Sequence, residues 1–261
     1  MSKARQLADL LDASGDVVTG ALDNVPPSND ASALTTGTLS FDRLPSGLGG
    51  LKSQQVFTSS GTWVKPSGIT KIKVYVTGGG GGGGHGTGTW NHGQGGGAGG
   101  TAIKIIDVSS VSSVSVTVGL GGPGGTSSTQ NSGTANGADG GTSSFGSYCS
   151  ATGGEGGDEG WGNFENRGNG GSASGGDINI SGGDATSTGG GTTSDLPTND
   201  VGGSSFWGGG GTGAHSGNNG TRTGQDGKAF GSGGGGGGAT DGAFYDGGAG
   251  KSGVVVIEEY S

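Results

Sequence analysis

Lys73-Val74-Tyr75-Val76-Thr77 runs straight into Gly78-Gly79-Gly80-Gly81-Gly82-Gly83-Gly84. Further glycine runs follow at residues 95–97, 189–191, 208–211 and 233–238. Ser, Thr, Asn and Asp fill the spaces, with an occasional aromatic. Such a stretch does not order by itself, because glycine loses the most backbone entropy and brings no side chain to a core. It is either disordered or ordered by close packing of backbone on backbone. The second reading predicts a polyproline-II-like helix of about three residues per turn, rising roughly 3.1 Å per residue. Neighbouring helices would then bond through N–H and C=O groups, with bulkier residues at the surface and in the joining loops.

Composition supports that choice. Of 261 residues, 72 are glycine, about four times ordinary usage. With six prolines and no strict Gly-X-Y period, collagen is excluded. Only 13% of residues are charged, fewer than a solvated disordered region carries. The formal charge of −9 and the scattered Lys and Arg argue against nucleic-acid binding. The single cysteine, Cys149, excludes an intramolecular disulfide framework and reads as a buried, inert thiol. Met1-Ser2-Lys3-Ala4-Arg5 is followed by no apolar h-region, and no apolar run approaches about 20 residues. We therefore expect no signal peptide, no membrane insertion and synthesis in a cytoplasm.

Working outward from the glycine runs, strand patterns flank them. Ile72, Val74 and Val76 alternate with Lys73, Tyr75 and Thr77, and Val114, Val116 and Val118 alternate with Ser115 and Thr117. Residues 55–58, 60–63 and 102–107 also read as strands. Residues 253–258, Gly-Val-Val-Val-Ile-Glu, are apolar on both faces, as a central strand should be. That last strand is expected to pair with residues 71–77 or 113–118, leaving about 119–250 as an insertion. Ser143-Ser144-Phe145 and Ser204-Ser205-Phe206-Trp207 look like internal pins that give the glycine lattice apolar surface, and residues 177–180 read as a short strand.

At the other end, residues 2–13 read as a short amphipathic helix capped by Ser2 and ended by Gly15. Its seam is Ala4, Leu7 and Leu11; three turns are marginal alone, so an oligomeric partner or a larger assembly is expected. Pro26-Pro27 excludes helix beyond it. Leu34, Leu39, Phe41 and Leu44 are apolar in a segment too short to bury them without other chains.

The phrase Leu34-Thr35-Thr36-Gly37-Thr38-Leu39, with Arg43-Leu44-Pro45, resembles the shaft phrases of bacteriophage tail fibres. Val56-Phe57-Thr58-Ser59-Ser60-Gly61-Thr62-Trp63-Val64-Lys65-Pro66-Ser67-Gly68, the Lys73–Gly84 stretch and the closing Gly253–Tyr260 stretch resemble, in this order, the glycine-rich domain of such fibres. The likeness covers roughly residues 54–261 and extends to the glycine-rich adhesins at the tips of T-even-like long tail fibres. It implies polyglycine-II helices packed in a sandwich, with joining loops that touch the host receptor. The amino-terminal part differs from those adhesins.

Candidate chemistry is thin. Gly-x-Gly-x-x-Gly arises here by composition alone, and Gly250-Lys251-Ser252 precedes a strand rather than the helix a phosphate loop needs. His85 and His92 flank Trp90 but lack an evident third metal ligand, so exposed loop histidines are favoured. Glu155, Asp158 and Glu159 beside Trp161 have the residue types of sugar cleavage, but a solvated acidic loop is favoured. No catalytic set, metal or cofactor is assigned. Aromatics amid polar glycine-rich sequence suit stacking on sugar rings or gripping a protein loop. The receptor-contact candidates are Trp90, His92, Trp161, Phe164, Phe244 and Tyr245; the oligomerisation candidates are Ala4, Leu7, Leu11, Leu34, Leu39 and Leu44.

The expected protein is all-β: a small β-sandwich with a glycine-rich insertion, preceded by a short helix (residues 1–16) and an extended trimerising linker (17–53), the sandwich domain being 54–261. The expected role is a virion tail fibre or adhesin, without enzymatic activity. Expected partners are two further copies of the chain, another virion protein through the amino-terminal segment, and a host surface glycan or outer-membrane protein. A head fibre or decoration protein of the capsid is the alternative, and a polysaccharide depolymerase a lesser one.

Overall fold

The structure is a computed structural model that describes residues 50–86, 92–126, 136–159, 167–186, 200–214, 223–240 and 243–261, all within the unit Leu48–Ser261. The expected amino-terminal helix and the shaft-like segment, with Ala4, Leu7, Leu11, Leu34, Leu39 and Leu44, lie outside the described residues. Those described are all-β, with no helix among them.

Chain order gives β1 (Leu51–Phe57), β2 (Gly61–Val64), β3 (Lys71–Thr77), β4 (Thr101–Asp107), β5 (Ser113–Thr117), β6 (Ser143–Phe145), β7 (Cys149–Ala151), β8 (Ala173–Ser174), β9 (Ile178–Ile180), β10 (Ala239–Thr240), β11 (Ala243–Phe244) and β12 (Val254–Tyr260). The larger sheet has the order β1-β12-β3-β4-β9 and the smaller β2-β5-β6-β7-β8, with β10-β11 apart. Every pairing is antiparallel. The last strand does pair with residues 71–77, Val256 opposite Tyr75 and Ile257 opposite Val74.

One core joins the two sheets. Ile72, Val74, Val76, Val255 and Ile257 face inward from the larger, and Trp63, Val114, Val116 and Phe145 from the smaller. Trp63 and Phe145 meet edge to face, 5.9 Å between ring centroids, a geometry the ring quadrupoles favour. Cys149 is buried in the same core.

Loss of water around Cys149 pushes its thiol up to about 11. We expect a disulfide reagent at pH 8 to label this thiol only as fast as the protein unfolds, because the thiolate is the nucleophile. Labelling of the native protein at a free-thiol rate, followed by absorbance, contradicts this. The fold holds the proton more tightly than the unfolded chain. This stabilisation is therefore complete below the unfolded value of about 8.5 and is lost as pH rises through about 11.

Outside the strands, the glycine-rich chain is bonded backbone to backbone in steps of three residues. Residues 78, 81 and 84 donate to the carbonyls of Gly100, Gly97 and Gln94 at 3.0, 2.8 and 2.7 Å. Residues 79 and 82 donate to Gly141 and Ala138, and residues 80, 83 and 86 to Lys251, Gly248 and Tyr245. These partners descend in number, so the three neighbours run antiparallel. The carbonyls of residues 79 and 82 accept from Gly154 and Gly157, those of 80 and 83 from Gly122 and Gly125, and those of 81 and 84 from Gly234 and Gly237. These ascend, so three further neighbours run parallel. One segment, residues 78–86, thus sits among six. Glycine-rich chain enters this array from residues 78–100 as well as from 119–250, and β6, β7, β8 and β9, which fall between residues 119 and 250, return to both sheets.

The two expected pins part company. Phe145 is fully buried in the core between the sheets, not in the glycine array. Phe206 and Trp207 remain partly exposed and pack on Tyr75, on the outer face of the larger sheet, at centroid distances of 6.2 and 6.1 Å. The Ser pair before each aromatic serves different ends: Ser143 and Ser144 lie in a paired strand, while Ser205 closes a tight turn with Gly208.

Candidate functional site at the far end of the glycine array

The bond register gives the array a direction. Gly78 follows directly on β3, and Gly100 leads directly into β4. Segments 78–86, 120–126, 153–159, 182–186, 209–214 and 232–240 run away from the sheets. Segments 93–100, 136–141, 167–171, 200–203, 223–227 and 243–251 run back, as their paired bonds require. Hence the residue pairs 86 and 92, 126 and 136, 159 and 167, 186 and 200, 214 and 223, and 240 and 243 all lie at one end, opposite the sheets.

Described side chains at that end fill what the glycine lattice leaves. His85 is fully buried and stacks on Phe244, 5.8 Å apart and 22° from parallel. His92 is half-buried. Its Nδ1 makes no hydrogen bond, and loss of water holds its pKa below the usual imidazole value, so the ring is neutral at pH 7. The expectation of exposed loop histidines is therefore corrected for His85: residue 85 lies within the segment that the array surrounds. Tyr245 is half-buried, and its carbonyl accepts the Gly86 N–H at 3.0 Å.

Of the receptor-contact candidates, His92, Phe244 and Tyr245 are thus gathered at this end. Trp90, Trp161 and Phe164 lie outside the described residues. The residues flanking them, 86 and 92 for Trp90, and 159 and 167 for Trp161 and Phe164, are at the same end.

In the acidic group the carboxylates of Glu155 and Asp158 accept hydrogen bonds, while Glu159 takes part through its backbone N–H. Asn136 donates to Asp158 at 2.9 Å, Asn169 donates to Glu155 at 2.7 Å, and the Glu159 N–H donates to the Asn136 side-chain oxygen at 2.8 Å. Each bond ties a returning segment to an outgoing one. Among the described residues no three His, Cys, Asp or Glu side chains come together as metal ligands.

A second surface was not legible beforehand. On the outer face of the larger sheet, Val56, Val256, Tyr75, Ile103 and Ile178 lie opposite one another in register, forming one apolar row across all five strands. Phe206, Trp207 and Phe230, from turns at the sheet end of the array, wall a groove of about 430 Å³ above it. The Trp207 indole N–H donates to Thr77 at 2.9 Å, and the Ser205 hydroxyl donates to the Phe230 carbonyl at 2.6 Å. Sequence pattern marked Tyr75 only as the outward half of an alternating strand.

No curated protein sequence matches the chain. The three phrases that opened the resemblance, residues 56–68, 73–84 and 253–260, form β2 with its approach, β3 with the first glycine segment, and the strand that closes the larger sheet. A family model described as a glycine-rich domain matches residues 55–260, a span that takes in both sheets apart from the first four residues of β1, together with the whole bonded array, and the chain belongs to that glycine-rich domain family.

Proposed function

We propose that the protein is a bacteriophage virion adhesin, a tail-fibre component that attaches the particle to its host through the far end of the glycine array. In this reading the three-residue bonding stride is that of polyglycine-II helices, and the two sheets form the sandwich that carries them. The observation behind it is the gathering of all six flanking pairs at one end. A scaffold fixed by main-chain bonds would hold the connections, with Trp90, Trp161 and Phe164 on them, beside His92, Phe244 and Tyr245. A pre-ordered surface loses little entropy on binding, and aromatic side chains among Asn and Asp suit a glycan or a protein loop. The amino-terminal segment would join three copies and another virion protein, and three copies of a weak site gain by avidity. No bond chemistry is involved.

The test is adsorption of purified full-length protein to host cells. Alanine at Trp90, Trp161 and Tyr245 together is expected to reduce cell binding at least about tenfold, a loss of roughly 1.4 kcal/mol, with amide-exchange protection of the array unchanged. Full adsorption by a folded triple variant removes this end as the contact surface. Density on the capsid rather than the tail, by cryo-microscopy of particles, would replace the tail-fibre placement with the head-fibre one.

A further inference from the structure

We infer that a second copy of this chain covers the outer face of the larger sheet. Among the described residues nine large apolar side chains are exposed, and seven belong to this face or its aromatic wall; only Val64 and Leu120 lie elsewhere. Scattered exposed apolar residues need no explanation, but a contiguous patch marks an interaction surface. The row ends are the most open: Val56 is 54% exposed on the free edge strand β1, and Ile178 is 56% exposed on β9.

Charge identifies the occupant. The strand at the middle of this face, β3, points Lys71 and Lys73 outward. Its register neighbours place Glu258 on β12 beside Lys73, and Asp107 on β4 beside Lys71. A face with a basic strand flanked by acids matches another copy of itself, lysine against carboxylate, once the two are offset. The apolar row and the aromatic wall supply the buried centre such an interface needs. A partner of uniform charge would be repelled at two of these four positions: a polyanion such as a nucleic acid at Glu258 and Asp107, a polycation at Lys71 and Lys73. The face lies at the sheet end of the molecule, so covering it leaves the far end of the array free.

Sedimentation of the full chain tests this. The wild-type protein is expected to associate at micromolar concentration. Val56→Lys and Ile178→Lys, both at exposed sites and with an intact fold checked by amide exchange, are expected to raise the dissociation constant at least about tenfold. Lys73→Glu and Glu258→Lys should each weaken self-association, and mixing these two variants should restore it, because opposite charges then meet across copies. A wild-type monomer overturns the inference. So does an oligomer that the apolar variants leave unchanged, or a charge-reversed pair that fails to associate when mixed.

Discussion

Gly81→Ala is expected to abolish cooperative folding of the glycine array, while Gly209→Ala leaves it unchanged. A methyl group on Gly81 would stand 2.1 Å from the Glu155 carbonyl oxygen, and one on Gly83 would stand 2.0 Å from that of Gly235. Real carbon–oxygen contacts do not come this close, so one chain must move. It cannot move cheaply. The offending atoms are backbone, and the Glu155 segment is itself bonded, its N–H to Asn169 and its carbonyl to Gly97.

Overpacking a side-chain core typically costs about 1–3 kcal/mol because rotamers yield. Here no rotamer exists to yield, and the cost is expected to exceed about 4 kcal/mol, the range reserved for severe lesions. At Gly209 a methyl group meets nothing within 4 Å, so the change should stay within about 0.5 kcal/mol. Gly68, in the turn before β3, has φ +80° and open space. Alanine there is expected to cost about 1 kcal/mol through backbone strain alone. Urea unfolding of the three variants measures the series. If Gly81→Ala unfolds at the same midpoint as Gly209→Ala, the close-packed array is wrong.

The second large effect is expected at Glu259. Its carboxylate is fully buried, and among the described residues no lysine or arginine pairs with it. Instead it accepts from the Trp63 indole at 2.7 Å, the Gln55 amide at 2.8 Å and the Ser53 hydroxyl. Two of these donors come from β1, beside it in the larger sheet, and the third from β2 of the smaller sheet. One side chain therefore stitches both sheets.

Glu259→Ala leaves the Trp63 and Gln55 donors facing a void. The expected loss is about 3–5 kcal/mol, since each bond to a charged acceptor contributes about 1.5–3 and a donor left unpaired adds its own penalty. Trp63→Phe keeps most of the ring and should cost less, about 2 kcal/mol. A double-mutant cycle between these positions is expected to return a coupling of at least about 1.5 kcal/mol. Additive effects would mean that the carboxylate is not what holds the indole.

The strands around the array were legible because their side chains alternate. Residues 71–77 and 113–118 show one buried face each, and residues 253–258 show two. That the last strand returns to residues 71–77 or 113–118 followed from its apolar character, since such a strand needs neighbours on both sides; the choice of 71–77 is seen only in the β-pairing. Glu259 was not legible. It continues β12 beyond the apolar run, and its charge marks it as exposed unless the donors are known. Those donors lie about 200 residues earlier, and no local pattern connects them.

The candidate site was legible in part. Aromatics amid glycine pointed to Trp90, Trp161, Phe164, Phe244 and Tyr245, but nothing in their spacing brings the described residues 86, 92, 159, 167, 240 and 243 to one end. That comes from the alternation of outgoing and returning segments, a property of the bond register. The apolar face was missed for a related reason. Val56, Tyr75 and Ile178 look like the outward halves of separate strands until β-pairing sets them in one row, and Phe206 and Trp207 read as packing until the turn at Ser205 sets them on top.

Residues 78–86 take their six sets of partners from points along the chain as far on as residue 251. Until the carboxy-terminal part has been synthesised, this segment lacks one of its three acceptor strands, and the larger sheet lacks the strand between β1 and β3. Assembly is consequently a late event, governed by closure of very long loops and slow for that reason. The same wiring works in reverse once closed: prying out any one segment strips bonds from several others together, so the finished domain persists by a high barrier to opening rather than by the strength of any single contact.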